Sequence, residues 1–174
     1  MIHFVGDLHQ PLHTTTNDDR GGNCVPVTSF DHNPKETNAT RADYRPNLHS
    51  VWDPAIIEQW ADGHTPQQLA NELENKFKAQ IPAWESQPIN VDAWAWESHE
   101  VAERVVYGDL PTELAVEKPV QVRTCADNDH ISTRMLKLNE QIGANYDAEA
   151  GPVIQEQLAK AGVRLAAVLN SVWK

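Results

Sequence analysis

The sequence predicts a mainly α-helical domain with a short strand pair or extended loop near residues 24–30. In several long stretches, apolar residues recur at intervals of three and four positions, which is the spacing of an amphipathic helix. Residues 14–47 are instead rich in Thr, Asn, Asp, Gly and Pro, which is the composition of loops. A chain of 174 residues can bury one substantial core and is short for two domains.

The N-terminal elements follow from this spacing and from the positions of proline. Residues 1–13 are predicted to be helical as far as Pro11, where the missing amide hydrogen kinks or ends the helix. Within the loop-like region, residues 24–28 are predicted to form a short strand. We expect that strand at a sheet edge, because Pro26 cannot donate to a ladder of hydrogen bonds.

Residues 48–61 return to helical spacing, but Pro54 lies inside the segment. Two interpretations of this proline stay open. Either Asp53 caps a helix whose first position is Pro54, or one helix is kinked at the proline.

The rest of the chain is predicted to be helical apart from one extended stretch. Thr65 followed by Pro66 is a typical helix start, because threonine caps free amides and proline fits the first helical position. The predicted elements are a helix from Thr65–Pro66 to about Trp84, a helix from Asn90 or Asp92 to about Tyr107, an extended stretch over 110–124, and a helix from about Pro152 to Trp173.

Charge and composition exclude some functions and leave others open. The formal net charge of −11 argues against a protein that binds nucleic acid mainly through contacts of Lys and Arg with the phosphates. It does not exclude an enzyme that acts on nucleic acid, since bound divalent metal ions invert the charge locally. No stretch approaches the roughly 18 apolar residues of a membrane span.

The cysteines and the N-terminus bear on the compartment. Cys24 and Cys125 can form one disulfide if the protein is exported, or stay as two thiols if it is not. Met1 is followed directly by an apolar, patterned segment without a charged region or a cleavage site, so no signal peptide is expected there. That segment is typical of the middle of a helix, and the chain is expected to begin inside a domain.

Two His-x-x-x-Asp pairs are the candidate metal ligands. His3 with Asp7, and His49 with Asp53, stand four residues apart and so project from one face of a helix. His13 follows the first pair. Imidazole nitrogen with carboxylate oxygen, and no thiolate, is a donor set that suits zinc at a catalytic site. Zinc there lowers the pKa of a bound water to about 7, which makes metal-assisted hydrolysis the predicted chemistry.

Five sequence blocks together resemble the S1/P1 nucleases. That family has the patterns HFxGDxHQPLH, DRGGN and NLHxxWD, in this order and at this spacing. The blocks that resemble these patterns, and two later ones that resemble helices of the family, are His3–His13, Asp19–Asn23, Asn47–Asp53, Trp96–Ser98 and Gln157–Ala166.

The resemblance implies a fold and a set of roles. It implies a helical domain of the phospholipase C/P1 nuclease type that holds three zinc ions. His13, His49 and Asp53 match the complete protein ligand set of one ion, which stands apart from the other two. His3 matches a ligand of the second ion. Asp7 matches the carboxylate that bridges the second and third ions, and is the expected catalytic residue at the water-activating pair.

Activity and extent are also implied by the resemblance. Members of the family cleave single-stranded DNA or RNA, and often 3′-mononucleotides, and leave 5′-phosphates. They are typically exported. Their remaining ligands lie upstream of the block that begins at His3, so residues 1–174 are expected to be the C-terminal part of a single nuclease-like domain, without its N-terminal ligand-bearing segment. One complete zinc site is therefore expected in this chain.

Two other functions stay open. The first is a zinc phospholipase C, an enzyme whose family is similar to the S1/P1 nucleases in fold and metal cluster. The sequence of the first block, His3–His13, favours a nuclease. The chain is alternatively an inactive zinc-binding domain.

Several further residues are given structural roles. His9 is expected to form hydrogen bonds and not to bind metal, and Asp19–Asn23 to form a turn in which Gly21 and Gly22 supply backbone freedom. The remaining histidines, expected at structural or surface positions, are His32, His64, His99 and His130. The tryptophans, expected in the core because of their helical spacing, are Trp52, Trp60, Trp84, Trp94, Trp96 and Trp173.

Overall fold

The computed structural model of the protein describes residues 1–15, 17–41, 43–108, 110, 124–127 and 140–172. The extended stretch expected at 110–124 lies almost entirely outside the described residues, as do His130 and Trp173. The helices are α1 (Ile2–Asp7), α2 (Leu48–Ser50, Val51–Ala55 and Ile56–Ala61 in direct succession), α3 (Pro66–Lys76), α4 (Ile81–Glu85), α5 (Val91–Val101 continued by Ala102–Tyr107) and α6 (Ala144–Val172), with short 3-10 turns at Pro11–His13 and Cys125–Asp127. The structure confirms the mainly α-helical prediction.

Short strands interrupt the long loop between α1 and α2. β1 (Val27–Thr28) pairs in parallel with β4 (Glu140–Gln141), close to the strand expected at 24–28. β2 (Lys35–Asn38) pairs antiparallel with β3 (Asp43–Arg45), in a region predicted to be loop throughout. All four residues of β2 are exposed, so no alternation of apolar and polar residues marked it.

The N-terminal helix ends as its proline requires. α1 stops at Asp7, and Pro11 begins a separate 3-10 turn that ends at His13. Gln10 has an extended backbone, the conformation that a following proline favours. Its side chain accepts a hydrogen bond from the amide of Leu12, which caps the turn.

Helix α2 continues through Pro54 instead of beginning there. Val51–Ala55 forms a wider π-type turn in which the amide of Ile56 donates to the carbonyl of Val51. The wider turn accommodates a residue that has no amide hydrogen to donate. Asp53 therefore lies inside the helix and does not cap it. The cap is Asn47, six residues earlier, which exchanges hydrogen bonds with Ser50 in a capping box.

The single helix predicted from Thr65 to about Trp84 is wrong, because the structure contains two. Thr65 and Gln68 form the expected capping box and α3 runs to Lys76, but a turn separates it from α4. Pro82 lies in the first turn of α4, where its missing amide breaks no hydrogen bond. A proline at this position starts a new helix in preference to continuing the previous one.

The last helix begins eight residues earlier than predicted, and Pro152 lies inside it. Tyr146, Ala150 and Ile154 are all buried and share one face at four-residue spacing. Burial of this face offsets the hydrogen bond that Pro152 cannot form. α6 is the central element of the fold, since it contacts α1, α2, α3, α4 and the end of α5.

One continuous core joins α2, α5, α6 and the strand pair of β1 and β4. Its buried members are Leu12, Val25, Val27, Leu48, Val51, Trp52, Ile56, Val101, Ala102, Val105, Val106, Leu110, Ile142, Tyr146, Ala150 and Ile154. A disulfide between Cys24 and Cys125 closes a loop of 101 residues beside this core, which resolves the choice that the sequence left open. No helix among the described residues has both the length and the apolar character that crossing a membrane requires.

A buried hydrogen-bond chain fixes α2 against α5 and α6. The indole nitrogen of Trp52 donates to the hydroxyl of Tyr146 over 2.7 Å, and that hydroxyl donates to the carbonyl of Val106 over 2.8 Å. Trp52 precedes Asp53 directly, so this chain also sets the position of a candidate ligand.

Tyr146→Phe is expected to lower the free energy of unfolding by about 1–3 kcal/mol, because it removes the partner of two buried polar groups. Denaturant unfolding followed by circular dichroism measures the change. Tyr44→Phe is the matched control, since the Tyr44 hydroxyl contacts Glu36 at the surface. A loss within about 0.5 kcal/mol is expected there. Equal losses in the two variants would contradict the structural role of the Tyr146 hydroxyl.

Candidate metal centre

Three of the predicted ligands meet at one place. His13 lies on the 3-10 turn after α1, while His49 and Asp53 stand one turn apart on α2. Each offers one ligand atom, and the three atoms lie within 4.8 Å of one another. In the chain, 36 residues separate His13 from His49. The fold therefore brings together donors from two distant sequence blocks.

The geometry and chemistry of these donors fit a divalent metal ion. The Nε2 atoms of His13 and His49 are 3.3 Å apart, and their rings stack with centroids at 5.1 Å. Oδ1 of Asp53 is 4.0 Å from Nε2 of His13. Two imidazole nitrogens and a carboxylate oxygen match the donor set of zinc, and three protein ligands leave a position open for another group.

A backbone carbonyl orients the His49 ring. Nδ1–H of His49 donates to the carbonyl oxygen of Gly21 over 2.8 Å. This bond places the ring hydrogen on Nδ1, so the lone pair is on Nε2, the atom that faces His13. Metal-binding histidines are commonly oriented in this way by a hydrogen bond from their second nitrogen.

The loop that carries Gly21 is anchored by a buried carboxylate. Asp19 is fully buried, and its side chain accepts hydrogen bonds from the amide of Gly22 and the hydroxyl of Tyr107. Burial raises the pKa of the Asp19 carboxyl, and these hydrogen bonds partly oppose that effect. The side chain of Asn23 donates to the carbonyl of Arg20, which is the turn role expected of it.

Glycine is required at position 21 for space as well as for its backbone conformation. Gly21 has φ +60°, and a Cβ there would lie 2.4 Å from the carbonyl oxygen of Leu12, next to His13. Gly63 has a similar φ of +82° but no atom within 4 Å of such a Cβ. The two glycines therefore differ mainly in steric contact.

Gly63→Ala is expected to cost about 1–2 kcal/mol of unfolding free energy, from the left-handed backbone alone. Gly21→Ala is expected to cost about 1–3 kcal/mol more, because the Leu12 carbonyl must move. Gly21→Ala should also weaken zinc binding, since the Gly21 carbonyl that accepts the hydrogen bond from His49 would shift. Chemical denaturation and chelator competition measure the two effects. Equal stability and equal zinc affinity of the two variants would show that Gly21 has no special role.

His3 and Asp7 lie beside this group of three without joining it. Oδ2 of Asp7 is 3.2 Å from Nε2 of His3, and Oδ1 is 3.3 Å from Nδ1 of His13. The Asp7 carboxylate thus lies between the two histidines. The side chain of His3 is 83% exposed, so one side of this pair is open.

A cavity of about 210 Å³ adjoins these side chains. Asp7, His13 and Asp53 lie on its wall, and α2 and α6 supply apolar side chains such as Ile57 and Leu158. A ligand of moderate size in the cavity would therefore contact both the candidate metal centre and an apolar surface.

Most of the other predicted residues among those that the structure describes lie where they were expected, but not all of the tryptophans do. His9 is buried and forms hydrogen bonds, as expected. Burial lowers its pKa, since the neutral ring is favoured away from water. Trp52 and Trp94 are buried as expected, whereas Trp60 and Trp84 are only half-buried. The core position expected for Trp96 is wrong. Trp96 is 63% exposed and stands edge-on to His99, because it projects from the outer face of α5.

Sequence reasoning missed the residues that support the ligands. The Gly21 carbonyl was expected only to belong to a flexible turn, and Asp19 only to shape that turn. The contact between His9 and Arg164 joins residues 155 positions apart. A motif marks the positions of the glycines, but no local pattern indicates which distant atom a backbone carbonyl or a buried cation will contact.

Comparison with known proteins gives one family. The sequence model of the S1/P1 nuclease family matches residues 1–174. The chain is 29% identical over 184 residues to Endonuclease 3 of Arabidopsis thaliana, covering 99% of this chain and 50% of the relative. It is 28% identical over 180 residues to Endonuclease 5 of the same plant, covering 99% and 49%. Nuclease S1 of Aspergillus oryzae is 27% identical over 175 residues, covering 99% and 52%. The chain thus spans about half the length of these relatives.

Proposed function

Since the chain belongs to the S1/P1 nuclease family, we propose that it is part of a zinc-dependent phosphodiesterase that hydrolyses single-stranded DNA or RNA. The proposal includes 3′-mononucleotides as substrates and 5′-phosphate products. We further infer that residues 1–174 form the C-terminal part of a single nuclease-like domain. The convergence of His13, His49 and Asp53 is the observation that supports the proposal most directly.

In this proposal His13, His49 and Asp53 hold one zinc ion. Nε2 of His49 is available because Nδ1 donates to the Gly21 carbonyl, which also prevents the ring from rotating. A zinc ion held there supplies a Lewis acid that stabilises negative charge on a phosphoryl or leaving oxygen. The protein carries a net charge of −11, so the centre would be a local positive site in an acidic molecule.

Asp7 and His3 are proposed to serve further metal ions. Oδ2 of Asp7 lies 3.2 Å from Nε2 of His3, so these two side chains could share one ion, while Oδ1 contacts Nδ1 of His13, a ligand of the first site. Asp7 is the proposed catalytic residue because its position matches the bridging carboxylate of the family motif. The exposure of His3 leaves room for donors from elsewhere in the protein. Three zinc ions are proposed for the complete domain, of which the first site alone has its ligand set in this chain.

Export from the cytoplasm is part of the proposal. The disulfide between Cys24 and Cys125 is favoured in an oxidising compartment, whereas cytosolic proteins rarely keep such bonds.

The test is a hydrolysis assay with three substrates on the zinc-loaded complete domain, of which residues 1–174 are proposed to be the C-terminal part. These are a single-stranded oligonucleotide, a 3′-mononucleotide and phosphatidylcholine. Cleavage of the first two, with 5′-phosphate ends on the oligonucleotide products, is expected. Cleavage of phosphatidylcholine alone would identify a phospholipase instead. If the domain bound zinc but hydrolysed none of the three substrates, it would be a zinc-binding domain without catalytic activity, and the enzymatic proposal would be refuted.

A further inference from the structure

We infer that a largely buried network of side chains on α5 and α6 positions the candidate metal centre by holding the segment Leu8–His9, which lies between Asp7 and His13 in the chain. The network consists of Arg164, Glu97 and Ser98. None of these side chains has been placed among the metal ligands, so each would act through the segment. The inference rests on the metal-binding part of the proposed function.

The held segment has little regular structure of its own. α1 ends at Asp7 and the 3-10 turn starts at Pro11, so the residues between them lie outside both elements. The amide of Leu8 still forms a helical bond to the carbonyl of Phe4, but the amide of His9 forms only a turn-type bond to the carbonyl of Gly6. The path of this segment sets the relative position of Asp7 and His13. Contacts from other elements are needed to fix that path.

The first contact is a buried histidine held between a carbonyl and a cation. Nδ1–H of His9 donates to the carbonyl of Val5 over 2.7 Å. Nε2 therefore carries no hydrogen, and it accepts a hydrogen bond from Nη1 of Arg164 over 2.9 Å. The ring joins α1 to α6 through both of its nitrogens, which leaves it one orientation.

Arg164 is itself held in place by α5. Its side chain is 4% exposed, and a buried guanidinium group needs partners for its charge. Nη2 donates to Glu97 over 2.5 Å, and the guanidinium group lies 5.3 Å from the ring centre of Trp94. Lys160 contacts the other oxygen of Glu97. The position of Arg164 over His9 is thus determined by side chains of α5.

The second contact comes from the next residue of α5. The hydroxyl of Ser98 donates to the carbonyl of Leu8 over 2.5 Å, and Ser98 is fully buried. Two consecutive residues of α5 therefore hold two consecutive residues of the segment, one directly and one through Arg164. The same helix also packs against the turn that carries His13.

The first test measures zinc affinity by competition with a chromophoric chelator. Arg164→Lys keeps the charge but loses the forked geometry, and is expected to weaken zinc binding by about tenfold, the lower end for groups outside the ligand shell. Ser98→Ala is the gentler variant, with about threefold expected. Ile142→Val, a buried core residue directly after β4, is the control. It should lower the unfolding midpoint and leave zinc affinity unchanged. A loss of affinity in the control equal to that in the other two would overturn the inference.

A double-mutant cycle separates positioning from general stabilisation. If Arg164 acts through His9, Arg164→Lys weakens zinc binding by about tenfold in the natural chain and by less than about twofold in His9→Gln. The same loss in both backgrounds would overturn the inference.

A metal-free measurement keeps the inference separate from the proposed function. Amide hydrogen exchange of residues 8–10, 12 and 13 in the zinc-free chain is expected to be about tenfold faster in Ser98→Ala and Arg164→Lys than in Ile142→Val. If the natural chain bound no zinc, the zinc proposal would fail, but the exchange rates would still test whether Arg164 and Ser98 hold the segment Leu8–His9. Unchanged exchange rates in both variants would overturn the inference.

Discussion

His49→Ala is expected to lower the affinity of the chain for zinc by at least about 100-fold. The variant loses one of the three donors that converge at the site. Loss of groups that only orient a ligand costs 10- to 100-fold, so loss of a ligand should cost no less than the upper value. It also leaves the Gly21 carbonyl without the imidazole that it orients. Isothermal titration with zinc chloride measures the change.

His64→Ala is the matched control for this experiment. His64 is exposed, its Nδ1 contacts the carbonyl of Ala61, and its Nε2 is 3.7 Å from Glu72 at the surface. It resembles His49 in residue type and lies on the chain beyond α2. We expect its zinc affinity to match that of the natural chain. A parallel loss in the two variants, or none in either, would contradict the assignment of His49.

Replacing Cys24 and Cys125 together by serine is expected to lower the free energy of unfolding by about 2–5 kcal/mol. The disulfide closes a loop of 101 residues, so it removes many conformations from the unfolded chain. It also ties the segment before β1 to the 3-10 turn at Cys125–Asp127. Because domains of this size are stable by about 5–15 kcal/mol, the loss is a large share of the total. Urea unfolding under oxidising conditions measures it.

Reduction supplies the control for the disulfide. The natural chain should lose a similar amount of stability when dithiothreitol is added, and the double-serine variant should not respond to the reductant. An unchanged unfolding midpoint of the natural chain after reduction would mean that the disulfide does not form or contributes nothing.

The sequence predicted the parts of the structure that depend on local spacing. Two residues four apart on a helix must share a face, so the pairing of His49 with Asp53 follows from their positions in the chain. His13 was a candidate ligand from the sequence, but its assignment to the same ion as His49 and Asp53 rested on the family resemblance, because no spacing rule joins a turn to a helix so far along the chain. The caps at Thr65 and Asn90 were also predictable, since capping depends on side chains within one helical turn.

The parts that were mispredicted depend on packing. Pro152 is a residue typical of a helix start, but the burial of Tyr146 and Ala150 extends α6 past it. Pro82 fits the spacing of a longer helix, although it begins a new one. β2 and β3 are too short and too exposed to leave a pattern in the sequence. For the two helices a tertiary contact or a proline outweighed the periodicity, whereas the two short strands left no periodicity to detect.

The supporting contacts of the metal centre were not predictable for a related reason. The bond from His49 to the Gly21 carbonyl involves a backbone oxygen, which no residue type indicates. Arg164 and Glu97 are ordinary charged residues on helices, and most such residues face solvent. Only the fold reveals that they lie together beneath His9.

The most direct test of the metal centre is anomalous diffraction at the zinc absorption edge from crystals of the zinc-soaked protein. The predicted result is an anomalous peak at bonding distance from Nε2 of His49 and from the side chains of His13 and Asp53. No peak at these residues, or a zinc ion held by other side chains while these three remain apart from it, would contradict the proposed centre.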